Sequence, residues 1–498
     1  MDRFKTRACP KSTLARPTSL AVLALAACTP QPQAAGPAPA AQVAFTAGTL
    51  TAEDSTRVPV ELGEVVVPQL RTGQAGAGPV TLRLVRFRST SPTPGAPILY
   101  LSGGSGAGIS AARGPRLALF QALREHGDVV TFDMRGAGRS EPRIACPAGE
   151  PLPIATPIVH DTLTAILRRN AQGCAAALRR AGIVPEAFNV REIVADIEAI
   201  RAALGAPRIR LWGISTGSQL GLEYIRRHGE RVESAVLAGI QAPDQMLDLP
   251  GELDRVLESL DAQLQARASA SQPATPLIPL LKSVFASLES TPQRVETQDR
   301  RTGAIVVVGL AKADAQLVVA GTLGDRRQMA ILPRAFGAAA RGDYRILAAM
   351  KLEGVRGGIT SPYELLTDCQ VPANRARAAR ARGQAPGALL GGATLDFPEA
   401  CSGWGAAPLP AAYGQPVRSD ARVLLISGTL DGRTTVENAT AALAGLRRGS
   451  HLVIEGASHG DDLFLSSPEI VRAIHAHFRG EAAPRTRTIP LAEAPATR

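Results

Sequence analysis

The chain has 498 residues, of which 45% are hydrophobic and 20% charged. This composition is typical of a large globular protein with one big domain and an insertion, or with two domains. The formal net charge is +11, but the basic residues are scattered and form no block. Nucleic-acid binding would require a basic stripe with aromatics or a recognisable motif. We find neither, so we expect no nucleic-acid partner.

The N-terminus reads as a processing signal. Five basic side chains precede a short apolar run, residues 20–27, which cannot span a bilayer. The run ends in Leu25-Ala-Ala-Cys28, which looks like a bacterial lipobox. We therefore predict a lipoprotein signal peptide over residues 1–27, a lipidated Cys28 and a flexible tether over 28–50. The chain would be anchored by lipid to a membrane of the bacterial cell envelope; an ordinary secretory signal is the alternative.

The cysteines also favour export. Apart from those in the signal, the chain holds Cys146, Cys174, Cys369 and Cys401, an even number that suits an oxidising compartment. Their order suggests two local disulfides, Cys146–Cys174 and Cys369–Cys401. No Cys-x-x-Cys pair is present, so we expect no zinc, and no motif predicts another metal or a cofactor.

The first half of the chain alternates strand and helix patterns. Residues 58–68 and 80–89 alternate apolar and polar side chains and predict an antiparallel pair. Apolar strands follow at 96–101, 128–133 and 232–239, with helical patterns between them at 113–126, 160–181 and 190–204. Such alternation predicts an α/β fold with a mainly parallel sheet that is covered on both faces by helices.

A Gly-x-Ser-x-Gly turn joins one of these strands to a helix. Residues 209–212 form the short strand, and Gly213-Ile-Ser-Thr-Gly217 leads into a helical run that ends at His228. A strand that reverses into a helix this sharply leaves no room for side chains beside the serine. Ser215 is therefore the candidate nucleophile.

The strand–helix rhythm breaks over residues 243–416, where the pattern is mostly helical. We interpret this segment as a helical cap inserted into a core formed by residues 51–242 and 417–480. A separate C-terminal domain is the alternative, but strand patterns resume after the segment, at 422–427 and 451–455. Residues 481–498 are predicted to be a disordered tail.

A serine hydroxyl needs a base within hydrogen-bond reach, and that base needs an orienting carboxylate. Asp431 and His459 each follow one of the late strands, so the chain order is serine, acid, histidine. We predict a Ser215–His459–Asp431 triad. The rival acids Asp461 and Asp462 follow the histidine directly, and we expect them to cap the last helix.

A glycine-rich loop, Ser102-Gly-Gly-Ser-Gly-Ala-Gly108, follows the strand at 96–101. It lacks the lysine and spacing of a phosphate-binding loop. A loop in this position can instead direct a backbone N–H at the oxyanion of an acyl-transfer reaction. We predict an oxyanion hole formed by the N–H groups of Gly104 and Thr216.

Taken together, these motifs resemble the proline iminopeptidase and tripeptidyl aminopeptidase branch of the α/β-hydrolases. The segments that carry the resemblance are Gly103-Gly-Ser-Gly106, Asp133-Met-Arg-Gly-Ala-Gly-Arg-Ser140, Gly213-Ile-Ser-Thr-Gly217, Cys401-Ser-Gly-Trp404, Ser427-Gly-Thr-Leu-Asp-Gly-Arg-Thr434 and Gly456-Ala-Ser-His-Gly460. The resemblance implies an α/β-hydrolase fold and a secreted or lipid-anchored serine peptidase. It would remove residues or short peptides from peptide N-termini, and cap carboxylates would meet the free amine of the substrate.

Three positions depart from the family pattern. Ser105 replaces a proline in the oxyanion loop, Thr216 replaces the tyrosine after the nucleophile, and Thr435 stands where proline is common. None removes the chemistry. We expect Ser105 to make the oxyanion loop less rigid and Thr216 to change the wall of the pocket, and all three departures leave the substrate undefined.

The substrate is less well defined by the sequence than the chemistry. The acids of the predicted cap include Asp343, Glu353, Glu364 and Asp368, and no motif selects an amine anchor among them. An esterase or lipase of the same fold is one alternative function, and a non-catalytic surface binding protein is another. No pattern indicates residue preference, product length or oligomeric state.

Overall fold

The computed structural model describes residues 42–71, 78–268, 275–357, 361–393 and 401–491. The predicted signal peptide, the lipidation site Cys28 and most of the predicted tether lie outside these residues. So does most of the glycine-rich spacer between the first two predicted strands.

Ten strands form one sheet in the described chain, in the order β1-β2-β3-β5-β4-β6-β7-β10-β11-β12. The strands are β1 Thr46–Thr51, β2 Arg57–Pro68, β3 Pro79–Phe87, β4 Ile98–Leu101, β5 Val129–Phe132, β6 Ile209–Ser215, β7 Val232–Ile240, β10 Val423–Gly428, β11 Gly449–Glu455 and β12 Thr486–Pro490. Strands β1, β2 and β3 are antiparallel, and β3 pairs antiparallel with β5. All pairs from β5 to β12 are parallel. The predicted antiparallel pair and mainly parallel sheet are confirmed.

Helices cover the parallel strands on both faces, as predicted. Strands β4 and β5 are buried at every position, which requires apolar side chains on both faces. One face packs against the helices Val190–Ala203 and Thr216–His228, and the other packs against the helix Leu117–Ala122 and the last helix. The helices of the core are α1 Gly108–Ala111, α2 Leu117–Ala122, α3 His160–Arg180, α4 Val190–Ala203, α5 Thr216–His228, α14 Val436–Leu443, α15 Asp462–Leu465 and α16 Pro468–Arg479.

The segment between β7 and β10 is mostly helical and has a hydrophobic cluster of its own. Its helices are α6 Pro250–Ala266, α7 Leu277–Ser290, α8 Lys312–Thr322, α9 Arg326–Met329, α10 Leu332–Ala340, α11 Arg345–Gly357, α12 Pro362–Cys369 and α13 Arg375–Gln384. It also contains an antiparallel hairpin, β8 Gln293–Gln298 and β9 Ile305–Leu310, which the helical interpretation missed. Residues 326–340 form two helices, because α9 ends at Met329 and α10 carries Pro333 in its first turn, where the missing N–H is tolerated.

Two expectations about the ends of the core are wrong. Residues 46–50 do not belong to a flexible tether, because β1 pairs along its whole length with β2. Phe45, just before β1, lies under the guanidinium of Arg86, 3.7 Å from the ring centroid. The predicted tail is not disordered throughout, since β12 adds a parallel edge strand beside β11 and buries Ile489. The strand reads Thr-Arg-Thr-Ile-Pro and buries one apolar residue, so such a short edge strand gives little signal in the sequence.

The structure joins both predicted cysteine pairs. Cys146 bonds Cys174 in α3, and Cys369 bonds Cys401, with Cα–Cα separations of 4.8 and 5.1 Å. The second disulfide fixes the C-terminus of α12, which carries a carboxylate of the candidate site described below. Among the described residues, no helix has both the length and the apolar character needed to cross a membrane.

Candidate active site

The three residues of the predicted triad follow the carboxyl ends of parallel strands. Ser215 ends β6, Asp431 comes three residues after β10, and His459 comes four residues after β11. In the sheet, β10 and β11 are neighbours, and β7 lies between β6 and β10. Carboxyl ends of parallel strands meet at one edge, where open α/β sheets bind their ligands.

The backbone at Ser215 is strained. Its φ is +57° and ψ is −126°, a conformation that costs a residue with a Cβ about 1–3 kcal/mol and that clusters at functional sites. A Cβ on Gly217 would lie 2.1 Å from the Leu101 carbonyl oxygen, and one on Gly213 would lie 2.8 Å from the Gly217 oxygen. Both glycines are therefore required by the close approach of β4, β6 and α5, as the sequence predicted.

Asp431 and His459 form a direct pair. The imidazole Nδ1–H of His459 donates to Asp431 Oδ2 over 2.8 Å. The carboxylate also accepts the backbone N–H groups of Arg433 and Thr434 at Oδ1 and the Thr434 hydroxyl at Oδ2. Asp431 is fully buried, and these donors satisfy it as an anion. A proton on Nδ1 leaves the Nε2 lone pair free to act as a base.

The imidazole lies against the end of β7, next to the nucleophile strand. A Cβ on Gly239 would be 2.9 Å from His459 Cε1, so glycine is needed there. The following residue, Ile240, is the register partner of Ser215. Within the described chain no hydrogen bond joins Ser215 to His459; in ligand-free enzymes such bonds are often long and tighten with substrate.

The glycine-rich loop passes beside the serine. A Cβ on Gly103 would lie 3.1 Å from the Ser215 Cβ, and the Gly106 N–H donates to the Gly103 carbonyl to form a tight turn. Gly104 is the next residue of this turn. Thr216 is the first residue of α5, and the first N–H groups of a helix have no intrahelical partner. Both predicted oxyanion donors thus lie beside the serine.

The turn that begins at Asp133 supports this loop. The Asp133 carboxylate accepts the N–H of Ile109, in the helix after the glycine-rich loop, and the N–H of Arg139. Arg135 is fully buried and forms a bidentate pair with Asp196. The hydrogen bonds of Asp133 fix the backbone of the loop.

A carboxylate from α12 reaches the same loop. Glu364 Oε1 lies 2.7 Å from where a Cβ on Gly104 would stand. Burial raises the pKa of Glu364, while the nearby charges of Arg433 and His459 lower it. Asp368, one turn further along α12, is buried, and its pKa is raised well above the usual value by burial and by Glu364. Glu364 therefore belongs to the candidate site, and Asp368 is a buried acid next to it on α12.

The other acids that we considered lie elsewhere. Asp343 forms a surface ion pair with Arg345, and Glu353 is exposed. The rival acids of the triad have partners of their own: Asp461 pairs with Arg116 over 2.5 Å, and Asp462 pairs with Arg326 and accepts from Ser458.

Our expectation that these two aspartates cap the last helix is wrong. The Ser467 hydroxyl accepts the Glu469 N–H there, and the two aspartates precede or begin the short α15 instead.

Three contributors to the site were not predicted from the sequence. Thr434 orients Asp431, and Gly239 makes room for the imidazole. Glu364, which the sequence offered only as one of several cap acids, supplies a carboxyl group. The first had a detectable signal, because a hydroxyl three residues after an aspartate is typical of an Asp-initiated turn. The other two depend on contacts between distant segments.

Residues 96–461 match the family model described as the alpha/beta hydrolase fold. The chain therefore belongs to the alpha/beta hydrolase family, and the predicted α/β-hydrolase fold is confirmed.

Curated relatives include three bacterial peptidases. Serine protease Hip1 of Mycobacterium tuberculosis is 29% identical over 170 residues, 33% of this chain and 32% of that protein. Tripeptidyl aminopeptidase of Streptomyces coelicolor is 27% identical over 205 residues, 38% and 36% of the two chains. Proline iminopeptidase of Xylella fastidiosa is 31% identical over 146 residues, which cover 29% of this chain and 33% of that protein. The matches span about a third of each relative, and they confirm the resemblance to this branch.

Among solved structures, proline iminopeptidase from Mycobacterium smegmatis aligns over 84% of this chain and 99% of its own, with a TM-score of 0.38 and 15% identity.

Proposed function

We propose that this protein is a serine aminopeptidase that releases residues from the N-termini of peptides through an acyl-enzyme. One observation supports the proposal most directly. The His459–Asp431 pair, the strained Ser215 and the Glu364 carboxylate all lie at the same edge of the sheet. The peptidase names of the curated relatives support it.

In the proposed reaction, Ser215 Oγ attacks the scissile carbonyl while His459 Nε2 takes its proton. The N–H groups of Gly104 and Thr216 stabilise the oxyanion of the tetrahedral intermediate. The imidazolium then protonates the leaving amine, the C–N bond breaks, and an ester to Ser215 remains. His459 then takes a proton from a water molecule, whose oxygen attacks the ester carbonyl. The bond to Ser215 Oγ breaks, and the imidazolium returns the proton to Oγ. Throughout, Asp431 accepts the hydrogen bond from the Nδ1–H of His459, and the proton stays on the nitrogen.

Glu364 is the proposed anchor for the substrate's ammonium group. Its carboxylate is half-buried and lies beside the oxyanion loop, where a negative charge would disfavour the oxyanion unless a cation came between them. The α-ammonium group of a peptide is such a cation. An esterase substrate offers none, so this acid favours the peptidase over the esterase alternative.

The same contact bears on product length. In a substrate that loses one residue, the amine is about 2.5 Å from the scissile carbonyl carbon, whereas a tripeptide product places it about 7 Å further away. Glu364 lies against Gly104, the predicted donor to the carbonyl oxygen. We therefore propose release of a single N-terminal residue.

Replacement of Glu364 by glutamine tests the anchor. Loss of a charged hydrogen bond costs about 1.5–3 kcal/mol, so Glu364→Gln should lower kcat/KM for aminoacyl anilides roughly 10- to 100-fold. N-acetylated anilides, which carry no charge, should be poor substrates of both proteins and change little. The wild type should also lose affinity for free-amine substrates as the pH falls through the raised pKa of Glu364, because the protonated acid has no charge. The variant should not.

Glu353→Gln is the matched control, since it removes an exposed acid of the same segment. It should leave both kinetic constants unchanged. Equal turnover of free and acetylated anilides by the wild type would contradict the aminopeptidase proposal. Turnover of simple nitrophenyl esters without turnover of either anilide would favour an esterase. Preference for tripeptidyl over aminoacyl anilides would contradict the single-residue product only.

We also propose that the chain is exported and lipid-anchored through Cys28. The signal-like N-terminus supports this, and the two disulfides are typical of oxidising compartments. Expression with the native leader in a bacterial host should yield a protein that begins at Cys28 and carries a diacylglyceryl mass. A soluble product cleaved elsewhere would exclude the anchor.

A further inference from the structure

A cluster of two histidines and a glutamate lies at the opposite edge of the sheet from the triad. Glu125 and His126 come just before β5, at the amino end of that strand, and His475 lies on α16. His126 is buried, His475 is half-buried, and Glu125 is exposed. The cluster is therefore held by the core on one side and open to solvent on the other. The two histidines are 349 residues apart in sequence, so no spacing motif could have indicated them.

Three atoms of this cluster that could ligate a metal lie within 3.2 Å of one another. His126 Nε2 is 2.9 Å from His475 Nδ1, His475 Nδ1 is 2.7 Å from Glu125 Oε1, and His126 Nε2 is 3.2 Å from the same oxygen. An imidazole nitrogen either donates or accepts, but not both. An ionised carboxylate oxygen only accepts. With Glu125 in that form, protons can satisfy at most two of these three contacts, and one pair of like groups remains face to face. A cation among the three atoms would satisfy all of them.

We infer that Glu125, His126 and His475 form a binding site for Zn²⁺ or a similar divalent ion from late in the first transition series. Two imidazoles and one carboxylate are ligands that Zn²⁺ accepts, with water in the fourth position. Tetrahedral coordination at about 2.0–2.1 Å places ligand atoms about 3.3 Å apart. The observed separations of 2.7–3.2 Å need only a few tenths of an ångström of outward movement.

The surroundings permit such an ion. His126 is held by ring contacts with His475 and Phe478, and burial lowers its pKa to about 4, which keeps its nitrogen lone pair available at neutral pH. The nearby cations are already paired, Arg210 with Glu233 and Arg479 with Glu481. The ion would connect α16 to the turn before β5.

Isothermal titration of the purified full chain with ZnCl₂, after chelator treatment, tests the site. We expect one zinc ion to bind and to raise Tm by roughly 3–5 °C at saturation, because a ligand that binds only the folded state stabilises it. His475→Ala and Glu125→Gln should each weaken binding at least 10-fold, and both positions tolerate change because they are partly or fully exposed.

His228→Ala removes a histidine far from the cluster in sequence and should leave the affinity unchanged. His459→Ala should also leave it unchanged, which separates this site from the candidate triad. Absence of zinc binding up to millimolar concentration, or binding that is lost in His459→Ala and kept in His475→Ala, would overturn the inference. Hydrolase activity is not needed for either readout.

Discussion

Ser215→Ala is expected to lower turnover of an aminoacyl anilide by roughly six orders of magnitude. The estimate follows serine-protease triads, in which loss of the nucleophile costs about as much as loss of the whole triad. The fold should survive for two reasons. Serine and alanine both carry a Cβ, so the cost of the positive φ of +57° does not change. The Ser215 side chain also makes no helix-capping hydrogen bond that the substitution would remove. The free energy of unfolding in urea should therefore change by less than about 1 kcal/mol.

Ser110→Ala provides the matched control. It removes an exposed hydroxyl from α1, close to the glycine-rich loop in sequence, and should retain full turnover. If Ser215→Ala kept activity within tenfold of the wild type, Ser215 could not be the nucleophile. If it unfolded, the loss of activity would be uninformative, and the stability measurement identifies that case.

Asp431→Asn should have the second largest effect, a loss of about 10⁴ in kcat. Asp431 Oδ2 accepts from both the Thr434 hydroxyl and His459 Nδ1. An amide NH₂ in that position would donate to Nδ1, force the proton onto Nε2 and so remove the base that faces Ser215. KM should change little, because Asp431 is fully buried behind the histidine and so has no surface to offer a substrate.

Asp461→Asn tests the rival acid. Asp461 binds Arg116 and is partly exposed, so its replacement should change kcat by less than about threefold. Each variant removes one negative charge from the wild type. Comparing them therefore separates the role of the triad carboxylate from a general effect of net charge. A larger loss of kcat in Asp461→Asn than in Asp431→Asn would identify Asp461 as the acid of the triad.

The core of the candidate site could be predicted because it depends on local geometry. A turn that brings β6 into α5 within one residue needs glycine at Gly213 and Gly217, and contact with the Leu101 carbonyl makes that need absolute. Order along the chain then selected Asp431 and His459. The same local reasoning found both disulfides and most strands of the sheet.

What could not be predicted depends on contacts between distant segments. Glu364 approaches Gly104 across 260 positions, and nothing in the pattern of α12 distinguishes this acid from Asp343 or Glu353. The edge strands β1 and β12 were missed for a related reason: short strands are stabilised by the neighbour they pair with, β2 and β11, more than by their own residues.

The most direct test of the account is to identify the residue labelled by a fluorophosphonate, which phosphonylates only an activated serine. Peptide mass spectrometry of the labelled, folded protein should locate the adduct on Ser215 alone. Labelling should be lost in Ser215→Ala and reduced in Asp431→Asn. Absence of labelling in folded wild-type protein would indicate a non-catalytic binding protein, and an adduct on another serine would contradict the proposed site.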